Sequence, residues 1–453
     1  MSDQTSPIGA APARADRLIH PQWIVPVVPH GAVLRDYSIA TEGDRISALL
    51  PRSDARNIDA DEELELPGQV VLPGLVNSHG HAALCLLRGF ADDTPLMTWL
   101  EEHIWPAEFA HMSEDYVRDG TELAIAEMIR SGTTTYSDMH LFPNVSAATA
   151  RRLRMRCQIT FPVIDFASDW GRDAADYISK GLALRDEYKH VDLVNVVFGP
   201  HAPYTVSEEN LARVATLAAE LDIGVQIHLH ETSGEVEQSL EEHGERPLHK
   251  LNRLGLLGPR TQCVHMTALD AGDIALVAQT GASVVHCPQS NMKLASGTCP
   301  VGALRAGGVN VALGTDSAAS NNNLNLFQEM QAAALLAKLD SGDAAALPAA
   351  DALAMATIAG ARAMGLEHSI GSLEPGKQAD MIAVDLGQPE TQPLYNVLSQ
   401  LVYACNGSQV RHSWIAGEPV LVDRELVLID LPGLAARVDA WRERIAAGME
   451  SAA

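Results

Sequence analysis

Two histidines one residue apart, His79 and His81, close the apolar run VVLPGLVNSHGH at residues 70–81. Side chains on a strand repeat on one face every second residue, so the two imidazoles present themselves to one metal ion. Histidine is the commonest nitrogen ligand for zinc, and two from one strand end leave coordination positions open. A third imidazole, His228, and a carboxylate, Asp316, stand at the ends of two later apolar runs, IGVQIHLHE and VNVALGTDS. Three histidines, one aspartate and a water suit zinc, or iron(II), and such a metal lowers the pKa of its water from 15.7 to about 7. Glu231, three residues beyond His228, is placed to carry protons between that water and a substrate nitrogen. His265, within TQCVHMT, is placed to orient the attacking oxygen or polarise the centre it attacks. His230 is expected on the opposite strand face in a structural role. His140 and His286 either line the pocket or stand behind it, and His20, His103, His111 and His412 read as surface or packing residues.

These residues need a frame that gathers strand ends. Apolar runs at 70–76, 133–140, 157–166, 193–201, 223–231, 261–267, 282–291 and 309–317 alternate with helical stretches. Continuous Val/Ile/Leu strands in strand–helix order indicate a parallel sheet covered by helices, and eight such units indicate a TIM-like (β/α)8 barrel with its site at the strand C-terminal ends. Nearly every run here ends in polar residues of the kinds named above, which capping alone explains poorly. Alternating segments before and after the barrel predict a small β-sandwich domain built from both chain ends. The expected division is a disordered lead-in at 1–14, sandwich at 15–71, barrel at 72–370, sandwich again at 371–430 and a helix at 431–453. That helix carries Leu434, Val438 and Trp441 on one face, for packing on the barrel or for an interface.

Composition narrows the function classes. The chain has 453 residues, 47% of them hydrophobic, with 32 Lys plus Arg against 58 Asp plus Glu, a net charge of −26. That balance argues against nucleic-acid backbones and anionic membranes as partners. No apolar run reaches the length of a membrane span. Six scattered cysteines without CxxC spacing suggest reduced thiols and a cytoplasmic setting.

The motifs together resemble the amidohydrolase superfamily, in its chlorohydrolase/deaminase branch, which includes 5′-methylthioadenosine/S-adenosylhomocysteine deaminases. They are PGLVNSHGHAALCLLRGFADD (73–93), SGTTTYSDM, FGPHAPYTVS (198–207), IHLHET (227–232), VHM, HCPQSNMKLASG (286–297), LGTDSAASNN (313–322) and GSLEPGKQADMIAVD (371–385). The resemblance spans about residues 15–430. It implies metal ligands at His79, His81, His228 and Asp316, a proton-shuttling acid at Glu231 and a catalytic histidine at His265. It further implies Glu108 as the holder of ribose hydroxyls and His201 as a substrate-facing residue. Some members carry arginines after the third strand that meet a homocysteine carboxylate; here FPVIDF offers none, and Arg172 is the nearest candidate. This favours methylthioadenosine and adenosine over S-adenosylhomocysteine. The lysine that bridges two metals in dinuclear relatives is missing from LVNVVFGP, which favours one metal. The implied reaction is hydrolytic deamination of an adenosine-type nucleoside, with guanine-type deaminase or triazine hydrolase as alternatives, a non-catalytic scaffold as a remote one, and a homodimer as the family expectation.

Overall fold

The computed structural model describes residues 12–452, so most of the expected lead-in lies outside the described residues. Eight parallel strands form the central sheet: β1 (Leu75–Asn77), β2 (Thr133–Asp138), β3 (Arg156–Val163), β4 (Val194–Pro200), β5 (Val225–Leu229), β6 (Thr261–His265), β7 (Ser283–His286) and β8 (Val311–Leu313). They pair in chain order, and β8 returns to β1 through Ser78 N–H to Leu313 O (2.9 Å), Asp316 N–H to His79 O (3.1 Å) and a parallel bridge between Gly80 and Asp316. The barrel therefore closes where two of the expected metal ligands sit. Polar caps open the covering helices: the side chains of Ser113, Ser207 and Thr232 accept from backbone N–H groups three residues on.

The run at 70–76 is not one strand. Asp59–Pro73 belongs to the terminal sheet, with Val70 and Val71 opposite Trp23 and Ile24, and β1 begins only at Leu75. Gly74 is the crossing point. A Cβ there would stand 2.0 Å from Thr134 Oγ1, so only glycine lets the chain pass this close to β2.

The two chain ends meet as expected, in one nine-stranded mixed sheet. Met381–Asp385 runs antiparallel to Asp59–Pro73, and Val410–Ile415 adds to its far side. The sheet curls back on itself, because Ile46 N–H donates to Lys377 O (2.9 Å) and Ala379 N–H to Asp44 O (2.8 Å). The expected sandwich is thus a single folded sheet, enclosing Ile19, Ile39, Leu49, Met381 and Trp414. The C-terminal helix, Leu431–Ala452, lies on the barrel: Leu434 and Trp441 are buried, and the Trp441 indole N–H donates to Asp119 (3.0 Å).

Barrel and terminal sheet are joined by a buried ion pair. The Arg156 guanidinium, on β3, donates twice to Asp380, at 2.8 and 3.1 Å, and both side chains are at most 4% exposed. Removing one partner strands the other charge in the interior. Asp380→Ala is expected to lower stability by about 3–5 kcal/mol, read as the shift of the urea unfolding curve. A loss below about 1 kcal/mol would show that water reaches Arg156.

Candidate metal centre and substrate cavity

The strand ends bring His79, His81, His228, His265 and Asp316 around one point. Two overlapping triads, His79–His228–His265 and His79–His81–Asp316, have donor atoms within 4.8 Å of one another. Close approach of β8 to β1 depends on Gly314, where a Cβ would meet His79 Cβ at 2.9 Å.

Three imidazoles of the cluster are oriented by the nitrogen that faces away from it. His79 Nδ1–H donates to Gln226 Oε1 (2.8 Å), His228 Nδ1–H to the His201 carbonyl (2.8 Å) and His81 Nδ1–H to the Met139 carbonyl. The protons of these neutral rings are thereby committed to Nδ1, which leaves Nε2 lone pairs pointing inward. His79 Nε2 and His228 Nε2 stand 3.2 Å apart. Two lone pairs at that distance repel unless a proton or a cation lies between them. Protonation is resisted: burial, then the neighbouring histidines, depress His228 well below the ordinary histidine range, and burial first also lowers His79. The donor set therefore fits a cation.

Asp316 faces the same point from a left-handed backbone, φ 59°. Its Oδ1 lies 3.4 Å from His81 Nε2 and 3.7 Å from His79 Nε2. Its Oδ2 accepts from Ser290 (2.6 Å) and Ser320 (3.1 Å). Burial opposes the charge of Asp316, but His81, His265 and His79 with the Ser290 hydroxyl hold it below the ordinary carboxylate range.

Strict strand alternation would point Glu231 away from His228. The chain leaves β5 at Leu229, and His230 adopts φ 51°, which turns Glu231 back into the cavity. The turn is held by Glu235, whose carboxylate accepts from the N–H groups of His230 (3.0 Å) and Glu231 (2.8 Å). In the metal-free protein burial first, then the charge of Asp316, pushes the Glu231 carboxyl up to about 8. His265 Nε2 lies 3.7 Å from Glu231 Oε2, and the Asn291 amide bonds the other face of that ring at 3.0 Å. His230 itself stays out of the cavity, accepting the N–H of Leu248 at 3.1 Å.

A cavity of about 440 Å³ opens above this cluster. Glu108, on the helix Trp105–His111, reaches into it and accepts from His140 Nε2 at 3.0 Å. Burial opposes a charge on His140, yet the Glu108 hydrogen bond raises its pKa above the ordinary value. His201 also lines the cavity, held by Thr205 Oγ1 at 3.0 Å, and burial lowers it to about 4. Beyond them the wall is apolar, with Trp99, Leu100, Ile104, Phe109 and Phe166. Among the described residues, the lining holds no lysine or arginine; its ionisable acids are Glu108, Asp169, Glu231 and Asp316.

One expectation needs correcting, and one left open is decided. Arg172 is not among the lining residues: its side chain is 83% exposed and pairs with Asp176, four residues on. A solvated guanidinium with its own carboxylate has little reason to reach inward. His286 is buried at the end of β7 and does not line the cavity, so of the two places expected for it the one behind the pocket is the one it takes. The sequence reading missed Gln226, Glu235, Asn291 and Ser290. Of these, Gln226 carried a signal: it precedes His228 by two residues and so shares its strand face.

Known proteins resemble the chain along nearly its whole length. Two curated relatives are named 5-methylthioadenosine/S-adenosylhomocysteine deaminase. The protein of Teredinibacter turnerae is 53% identical over 433 residues, 95% of this chain and 98% of that protein. That of Saccharophagus degradans is 49% identical over 434 residues, 96% and 97% of the two chains. The crystal structure of an adenosine deaminase from Xanthomonas campestris with bound zinc superposes with a TM-score of 0.95 at 47% identity, covering 96% of this chain and all of that one. The zinc complex of an atrazine chlorohydrolase from Arthrobacter aurescens, 22% identical, shares the fold with a TM-score of 0.88 over 94% of this chain and all of that one. The family model described as Amidohydrolase family matches residues 70–420, and with relatives of this identity along nearly its whole length the chain belongs to the amidohydrolase family.

Proposed function

We propose that the protein is a zinc-dependent deaminase that hydrolyses the exocyclic amino group of an adenosine-type nucleoside, giving the inosine analogue and ammonia. The observation that carries this reading is the geometry: Glu231 is turned into the cavity, 3.7 Å from His265, beside a cluster of three inward-facing imidazoles and a carboxylate. His79, His81, His228 and Asp316 would hold the metal, which supplies the Lewis acidity that makes water nucleophilic at neutral pH. Zinc is the ion bound in the Xanthomonas campestris adenosine deaminase.

The residues divide the proton traffic. Glu231 delivers its proton to the ring nitrogen next to the amino-bearing carbon and recovers one from the incoming water. Asp316, ionised, and His265 take the second water proton and pass it to the departing amine. One water is consumed, the C–N bond breaks, and ammonia leaves. The Glu108–His140 pair offers a carboxylate to the ribose hydroxyls, and His201 stands by the purine. The six cysteines are buried and unpaired, which supports a reducing, cytoplasmic setting, and no helix among the described residues is long and apolar enough to cross a membrane.

The apolar, cation-free wall supports methylthioadenosine and adenosine over S-adenosylhomocysteine, whose carboxylate would find no basic side chain among the described lining residues. A charge-assisted hydrogen bond contributes about 1.5–3 kcal/mol, so kcat/KM for S-adenosylhomocysteine is expected to fall about 10–100-fold below that for methylthioadenosine. Ammonia release by the zinc-loaded protein across these nucleosides, guanine and 8-oxoguanine tests the assignment. Turnover of free bases alone would overturn it, and equal rates on the two thioethers would overturn only the preference.

A further inference from the structure

Below the metal cluster the barrel interior is polar where packing alone would favour aliphatic residues. Gln226 on β5, Gln262 on β6, Gln158 on β3 and Ser137 on β2 are each at most 1% exposed. They close a ring of hydrogen bonds. Gln226 Nε2 donates to Gln262 Oε1 (2.6 Å), Gln262 Nε2 to Gln158 Oε1 (3.1 Å), Gln158 Nε2 to Ser137 Oγ (3.0 Å), and Ser137 Oγ–H to Gln226 Oε1 (3.4 Å). Gln226 has two further contacts: its Nε2 donates to the Ser78 carbonyl (2.9 Å), and its Oε1 accepts from His79 Nδ1 (2.8 Å). Both donors and both acceptors of this amide are used.

The Ser78 carbonyl can only accept. It therefore fixes which end of the Gln226 amide faces it, and the other end, the oxygen, must face His79. An oxygen there requires the proton on His79 Nδ1, which leaves Nε2 bare for a ligand. We infer that Gln226, held by Ser78 and the buried glutamine ring, is a positioning residue that sets the tautomer of His79 and so the affinity of the site for its divalent metal. The inference rests on the reading of His79 as a metal ligand. The ring matters because a glutamine with one partner missing could turn over, placing its NH2 against His79 and favouring the tautomer that cannot bind.

The test measures zinc dissociation constants by competition with a chromophoric chelator, alongside thermal unfolding of the same samples. Gln226→Leu removes the acceptor for His79 and is expected to bind zinc about 10–100-fold more weakly than the unaltered protein. Gln226→Glu keeps an oxygen facing Nδ1 and, protonated on its other oxygen in this buried setting, a donor facing the Ser78 carbonyl, so it is expected to bind within a few-fold of the unaltered protein. Gln262→Leu, which leaves His79 untouched but frees the amide of Gln226, is expected to weaken binding in the same direction by less. Equal affinity of a folded Gln226→Leu, or Gln226→Glu as weak as Gln226→Leu, overturns the inference; if those two do not fold, an unchanged affinity in Gln262→Leu overturns it. Failure of the unaltered protein to bind zinc would instead overturn the metal reading.

Discussion

Glu231→Gln is expected to lower kcat about 10²–10⁴-fold, the usual worth of one general acid–base group, with zinc content unchanged. The substitution keeps the shape of the side chain and the backbone hydrogen bonds that aim it, since those run from the N–H groups of residues 230 and 231 to Glu235. What disappears is the exchangeable proton. An amide cannot deliver a proton to a ring nitrogen and recover one from water, so binding should survive while turnover fails. The same replacement has a sign in stability that separates it from damage. In metal-free protein the folded-state pKa of about 8 lies above the unfolded value near 4.5. The contribution of Glu231 to stability is therefore full below about pH 4.5 and is lost as pH rises through 8. Gln226 and the histidines are untouched, so chelated Glu231→Gln should unfold at or above the temperature of its chelated parent at pH 8. A variant keeping more than about a tenth of parental turnover would remove Glu231 from the chemistry.

Most of the site could be read from the sequence because barrel strands end where chemistry happens. Runs such as IGVQIHLHE and VNVALGTDS combine a hydrophobic interior with a polar tip, and the fold turns every tip toward one face. His79, His81, His228, His265 and Asp316 converge for that reason. The failures have local causes. The break at Gly74 escaped because the apolar run continues across it, and periodicity carries no mark for a change of sheet. The offset of Glu231 from His228 marks it as a candidate, but the left-handed turn at His230 that carries it into the cavity is absent from the pattern. Arg172 is the nearest cation in the sequence, yet Asp176, four residues on, already satisfies it. The residues that orient the metal cluster from behind escaped almost entirely, since a buried glutamine in a strand looks like an error in patterning until its partners on other strands are known.

Metal removal carries the other large effect. Chelation is expected to abolish turnover and to lower the unfolding temperature, and one equivalent of zinc per chain is expected to restore both. Barrel closure brings the donor atoms together: His79 Nε2 and His228 Nε2 face at 3.2 Å with their lone pairs opposed, because each ring commits its Nδ1–H elsewhere. A cation turns that repulsion into coordination. Binding to the folded state alone adds about 2.7 kcal/mol at a free concentration a hundred times Kd, so the unfolding temperature should climb with added zinc. Chelated protein that still releases ammonia would end the metal reading. A stoichiometry of two would revise it toward a dinuclear centre, against the convergence of donors at His79 among the described residues and against β4, whose VNVVFGP sequence contributes no lysine to bridge a second ion.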